Sequence, residues 1–150
     1  FRRIIRPHLP QGTTDLAIDR AFCEFLVGIP VRRLVALRDL RRQGLGVYML
    51  SNTNPIMWNS KIGEEFGREG LRREDYFDGM VTSFEARVMK PAPEIFNYAA
   101  EQLGIAPDET LFLDDGEANV RAAEALGWHA ALVRPGVEFD ALLRDMGVCK

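Results

Sequence analysis

The spacing of apolar positions along this chain changes period several times, and each change marks an element boundary. From Thr14 to Ile29 the residues Ile18, Ala21, Phe22, Phe25 and Ile29 recur at helical intervals, with Thr13 or Thr14 placed to cap the start. That stretch reads as an amphipathic helix. A second helix opens at Pro30, a residue suited to a first turn, carries Leu34, Leu37 and Leu40 on one face, and stops at Gly44. The run VYML that follows is continuously apolar and predicts a buried strand. Asn54 and Pro55 cap and start a helix reaching Phe66, and FDGMVTS reads as a second strand. Pro91 and Pro93 open a helix whose Ile95, Phe96, Ala99, Ala100 and Leu103 make one stripe ending at Gly104. The last third repeats the pattern. TLFLDD is a strand, GEANVRAAEALG a small-residue helix able to pack close to a sheet, HAALV a strand, and VEFDALLRDMG a helix with Phe139, Leu142, Leu143 and Met146 inward.

Short apolar strands alternating with helices belong to a parallel sheet covered on both faces. The expected fold class is therefore α/β, a Rossmann-like doubly wound parallel sheet. A boundary near Gly28 to Pro30 separates a leading helical piece, residues 1–29, from an alternating core, residues 30–150. In such sheets ligands sit beyond the carboxyl ends of the strands, which directs attention to what stands there.

Ser51 and Asn52 end one strand, Lys90 stands just before a helix, and Asp114 and Asp115 end another strand. Two adjacent ionised carboxylates raise each other's pKa unless positive charge compensates them. A hydroxyl, an ammonium and a carboxylate pair on one rim suit a phosphoryl group, which needs donors for its oxygens, a fixed cation, and a magnesium ion on oxygen ligands. Lysine occurs only at Lys61, Lys90 and Lys150 among many arginines. A compact ammonium is not interchangeable with a forked guanidinium in a tight phosphate pocket, so a lysine at position 90 has a physical reason.

The segments YMLSNTNP, VMKPAPEIF and LFLDDGEANVRAAEALGWHAALV resemble, in this order, motifs II, III and IV of the haloacid dehalogenase-like hydrolases. The resemblance covers roughly residues 30 to 135. It is strongest to the branch with a helical cap inserted after the first strand, which includes small-molecule phosphatases and the N-terminal phosphatase domain of soluble epoxide hydrolases. It implies that Ser51 and the Asn52 backbone hold phosphoryl oxygens, and that Lys90 neutralises the phosphoryl group and the attacking carboxylate. It further implies that Asp115 ligates Mg2+, that Asp114 orients Lys90 or a metal-bound water, and that Asn119 braces the loop. The substrate implied is a small phosphorylated metabolite.

The family's motif I is a DxD after the first strand, whose first Asp attacks phosphorus and whose second is general acid and base. Nothing here supplies it. Asp15 and Asp19 are four apart on an amphipathic helix, and Asp39, Asp75 and Asp78 follow no suitable strand. In the family that first strand lies between the strands ending here at Ser51 and Asp115. Its absence, and a first residue Phe1 in place of Met, lead to the expectation of a truncated chain: a gap in the sheet with an unpaired edge on either side, a leading helix that is the tail of the cap, and no turnover by these residues alone. Two rivals remain. A haloacid dehalogenase needs no metal and would leave the acid pair without its cation; a non-catalytic relative would keep the phosphate pocket as a binding site. A phosphoacceptor receiver domain is excluded, because it places the acid pair before the hydroxyl and the lysine.

Composition changes the picture little. A formal charge of −3 with dispersed arginines does not suit a nucleic-acid partner. Cys23 and Cys149 lie far apart, without a CxxC pair, which favours neither a disulfide framework nor a zinc site and suits a reducing, cytoplasmic setting. No apolar run approaches membrane-spanning length. Arg32, Arg33, Arg41 and Arg42 read as a solvated helix face, His8 and His129 as structural, and Trp58 and Trp128 as packing.

Overall fold

The computed structural model describes residues 1–24 and 26–150, so Phe25, placed on the first helical stripe by its spacing, lies outside the described residues. The chain begins with a short helix α1 (Arg2–Ile5), which the apolar spacing did not announce, and a 3-10 turn over Arg6–His8. Helix α2 (Asp15–Cys23) starts where Thr14 accepts a hydrogen bond from the Ala17 N–H at 3.2 Å. It ends at Cys23, well short of Ile29. In the link to the core that follows, Gly28 adopts φ +94°, a left-handed conformation open to glycine, and its backbone runs against the Glu65 carboxylate. Arg2 pairs with Asp19 and Arg6 with Asp15, tying α1 to α2 across the surface.

Beyond Pro30 come α3 (Val31–Arg42), β1 (Tyr48–Ser51), α4 (Pro55–Asn59), α5 (Lys61–Gly67), β2 (Gly79–Thr82), α6 (Ser83–Ala86), α7 (Pro93–Leu103), β3 (Leu111–Asp114), α8 (Glu117–Ala125), β4 (His129–Leu132) and α9 (Phe139–Asp145). The single helix expected from Asn54 to Phe66 is broken at Ser60, whose φ −118° and ψ −103° are not helical and whose Oγ donates back to the Ile56 carbonyl at 2.6 Å.

Both ladders are parallel. β1 pairs with β2 in the register Tyr48↔Gly79 to Ser51↔Thr82, and β3 with β4 from Leu111↔His129 to Asp114↔Leu132. No hydrogen-bonded ladder joins β1 to β3 among the described residues, so the sheet consists of two strand pairs. The side chains nevertheless place them in one layer. Met49, Met80, Leu111 and Leu113 pack on a core made of Leu34 and Leu40 of α3, Phe66 of α5, Tyr76, Phe77 and Leu143 of α9. Leu50 and Phe112, one residue out of phase, face the opposite core of Ile95 and Phe96 of α7, Ala123 of α8 and Trp128. Strand alternation thus divides each strand pair between the same two helical faces, which is the doubly wound α/β arrangement.

Two readings of surface residues need correction. Arg32 and Arg33 are not simply solvated: both pair with Glu138, tying α3 to the start of α9. Arg41 pairs with Asp78 and donates to the Asp75 carbonyl at 2.8 Å, so this arginine also bridges elements. Met146 is 46% exposed; it follows the last turn of α9, and Leu143 alone of the expected set is fully buried.

Candidate functional site

The rim takes its form from how β1 ends. After Ser51 the chain leaves the strand through Asn52 and Thr53, and Asn54 accepts from the Ile56 and Met57 N–H groups, both at 3.1 Å, to start α4. The turn between them is tied to the end of β2. Ser83 Oγ accepts from the Thr53 N–H at 3.1 Å and donates to the Thr53 carbonyl at 2.9 Å. The sequence reading missed Ser83, although its signal was present: a hydroxyl at a strand end, beside Thr82, which is opposite Ser51 in the ladder.

Lys90 reaches this rim from the segment between α6 and α7. Its ammonium donates to the Leu50 carbonyl of β1 at 2.8 Å and to Asp114 Oδ2 at the end of β3 at 2.7 Å. Both side chains are nearly sealed, 9% exposed for Lys90 and 7% for Asp114, so this is a buried charge pair spanning the interval between the two strand pairs. Asp114 Oδ1 accepts from the Gly116 N–H and from Asn119 Nδ2, each at 2.8 Å. A Cβ at position 116 would lie 2.8 Å from Asn119 Nδ2 and 3.0 Å from Asp114 Oδ1, so any larger residue there would push on both side chains.

Burial pushes the Asp114 carboxyl up, but the hydrogen bonds from Lys90, Asn119 and the Gly116 N–H, with the lysine's charge, outweigh it and hold it below the ordinary carboxylate range. The positive charge expected to compensate the acid pair stands against Asp114 as the Lys90 ammonium. Asp115 is exposed and makes no hydrogen bond or ion pair among the described residues. Ser51 Oγ is likewise unengaged, and Thr53 Oγ1 is buried without a partner. Asn52 is exposed, and its side-chain amide, for which the sequence suggested no role, bonds to the Lys90 backbone at 2.9 Å from each end.

Among the described residues no three His, Cys, Asp or Glu side chains come together to hold a metal. Asp114 already takes three donors on its two oxygens, which leaves it one of about four acceptor positions. Asp115 fits one hard-oxygen position, and magnesium is commonly held by one or two carboxylates with water and phosphate completing its shell. The donors present thus fit one side of a magnesium site.

The family model for haloacid dehalogenase-like hydrolases, described as hydrolases, matches residues 15–127. The chain is 34% identical over 139 residues to the D-ribitol-5-phosphate phosphatase of Bacteroides thetaiotaomicron, an alignment covering 93% of this chain and 67% of that one. Its fold is similar to that of a HAD family enzyme of the same organism, crystallised with magnesium and inorganic phosphate, with a TM-score of 0.89 and 39% identity over 96% of this chain and 73% of that one. It is also similar to a HAD-like family hydrolase from Porphyromonas gingivalis, with a TM-score of 0.86 and 28% identity over 99% of this chain and 72% of that one.

Proposed function

Since this chain belongs to the haloacid dehalogenase-like hydrolase family, we propose that it supplies the cation and phosphate-binding side of a magnesium-dependent phosphatase acting on a small phosphorylated metabolite. The observation that carries the reading is the state of the Lys90 ammonium. A lysine has three N–H donors, and two are taken by Leu50 and Asp114. The third is left for a further acceptor at the strand ends. A phosphoryl oxygen suits it, with Ser51 Oγ as a second donor from the same rim.

In this reading Asp114 is a positioning residue. It keeps Lys90 charged and aimed, and Asn119 and the Gly116 N–H keep Asp114 ionised in turn. Asp115 takes the magnesium, which when bound neutralises phosphoryl charge and helps hold the phosphate oxygens. The nucleophile is an aspartate outside these 150 residues, on a strand that pairs between β1 and β3. The aspartates weighed for that role are engaged elsewhere: Asp15 and Asp19 with arginines, Asp39 with Arg42, Asp75 with the Arg72 N–H, and Asp78 with the Val47 N–H and Arg41. Hydrolysis then proceeds through an aspartyl phosphate on that residue.

The related D-ribitol-5-phosphate phosphatase supports a phosphorylated polyol or sugar as the substrate class. Both cysteines are free, which suits a reducing cytoplasm. No helix of the described residues is long and apolar enough to cross a membrane. The test is an aryl phosphate assay with magnesium. The full-length protein turns the ester over and Lys90→Met abolishes turnover, whereas the 150-residue chain is inactive. Turnover by the 150 residues that disappears in Asp115→Ala would overturn the external nucleophile.

A further inference from the structure

We propose that Asn52 is a positioning residue that sets the Lys90 ammonium by holding the lysine's backbone, with Ser83 as the anchor behind it. The proposal rests on the strand-end rim being a phosphate site and adds how its cation is kept in place.

A lysine ammonium sits on a flexible four-carbon stem. Its head can be fixed only if its Cα is fixed as well. Lys90 lies in the irregular segment between α6 and α7, outside any ladder. The Asn52 side chain substitutes for a ladder there: Oδ1 accepts from the Lys90 N–H at 2.9 Å and Nδ2 donates to the Lys90 carbonyl at 2.9 Å. The two bonds also settle which way the amide faces, because the reverse orientation would set donor against donor. Asparagine is suited to this by its chemistry. It presents one acceptor and one donor in a plane, as a peptide group does; aspartate lacks the donor, and serine is too short to span both groups.

Asn52 is held in turn. The next residue, Thr53, has both its N–H and its carbonyl bound to the buried Ser83 hydroxyl, which stands immediately after β2. A connected path therefore runs from the end of β2 through Ser83 to the Thr53 backbone, from Asn52 to the Lys90 backbone, and from the ammonium to Leu50 and Asp114. Ser51 precedes Asn52 directly. The loop that places the rim hydroxyl is thus the loop that places the cation, and a shift of one moves the other.

Lysine NMR on the full-length protein tests this; within these 150 residues Lys90 has only Lys61 and Lys150 for company. Lys90→Met identifies its signal. The Lys90 ammonium in the parent protein gives a slowly exchanging, displaced resonance; Asn52→Ala moves it toward the solvated position and speeds its exchange. Asn52→Asp, which keeps the acceptor and loses the donor, falls between. Ser83→Ala acts in the same direction. Asn54→Ala, which removes only the α4 cap, lowers the melting temperature and leaves the Lys90 signal in place. In turnover, Asn52→Ala lowers kcat by about 10- to 100-fold with little change in KM, the scale of a catalytic group misplaced by an ångström, and Asn52→Asp recovers part of the loss. An unaltered Lys90 signal in Asn52→Ala overturns the proposal. Failure of the phosphate reading has a different signature: inorganic phosphate leaves the parent's Lys90 signal and melting temperature unmoved, while Asn52→Ala still displaces the lysine, which upholds the positioning role.

Discussion

The strand-end rim and the leading segment are both built from charged pairs, yet the pairs are of opposite kinds. At the rim Lys90 and Asp114 are nearly sealed from solvent, join segments distant in sequence, and share their charges with Leu50, Asn119 and the Gly116 N–H. In the leading segment Arg6 and Asp15 are about half exposed and near one another in sequence. The contrast shows which charges the fold depends on. An exposed pair loses little when broken because water solvates each partner again. A buried pair cannot recover in that way, so removal of one member strands the other.

Lys90→Met is the sharpest way to break the comparison. It leaves Asp114 buried without its cation and should cost about 3–5 kcal/mol in urea unfolding at neutral pH. The pH dependence should also change sign. In the parent the Asp114 pKa is lowered on folding, so its contribution to stability is present above the ordinary carboxyl value of about 4 and is lost as pH falls through the lowered folded value. In the variant burial dominates, the folded pKa rises above the unfolded one, and stability is recovered as acid protonates Asp114. A variant that loses stability on acidification as the parent does would show that Lys90 is not what holds Asp114 ionised.

Asn119→Ala removes one of three donors from the same carboxylate and should cost about 1.5–3 kcal/mol, the range for a hydrogen bond to a charged group. Gly116→Ala forces a methyl against Asn119 and Asp114 and should cost about 1–3 kcal/mol, as overpacking does, with the Asp114 carboxyl titrating higher by carbon NMR. In the leading segment Thr14→Ala removes the α2 cap, worth about 1 kcal/mol, with a matching small fall in helical circular dichroism. Arg6→Ala should leave the urea midpoint unchanged within error and abolish no salt dependence larger than that of other surface pairs. A large loss from Arg6→Ala would erase the distinction between the two regions.

Most of the secondary structure was legible along the chain. The stripe Ile95, Phe96, Ala99 has a helical period and each of the three is buried; the four short apolar runs became strands. Legibility failed where a single residue decides locally against the period. Ser60 breaks a helix that its neighbours would have continued, and the helix whose stripe extended to Ile29 ends at Cys23. Met146 kept the spacing of an inward face but lies past the end of the helix that would have turned it inward.

The same division runs through the rim. Order and residue type put a hydroxyl, a lysine and two acids at the carboxyl edge of the sheet, because strand ends in a parallel α/β fold share one side. Periodicity and residue type could not assign the acids different environments; only the family resemblance gave them different expected roles. Asp114 and Asp115 are neighbours of identical chemistry, and only the packing of Lys90, Gly116 and Asn119 makes the first a buried anion with three donors and leaves the second in solvent. Nor could sequence reveal that the Asn52 amide holds the Lys90 backbone across 38 residues, since that bond exists only once both strands and the loop after β2 are in place. Periodicity and residue type act through near neighbours and determined the elements and their chemical inventory; burial and long-range hydrogen bonding depend on the assembled layers, and these alone decided what each charge at the rim is bound to.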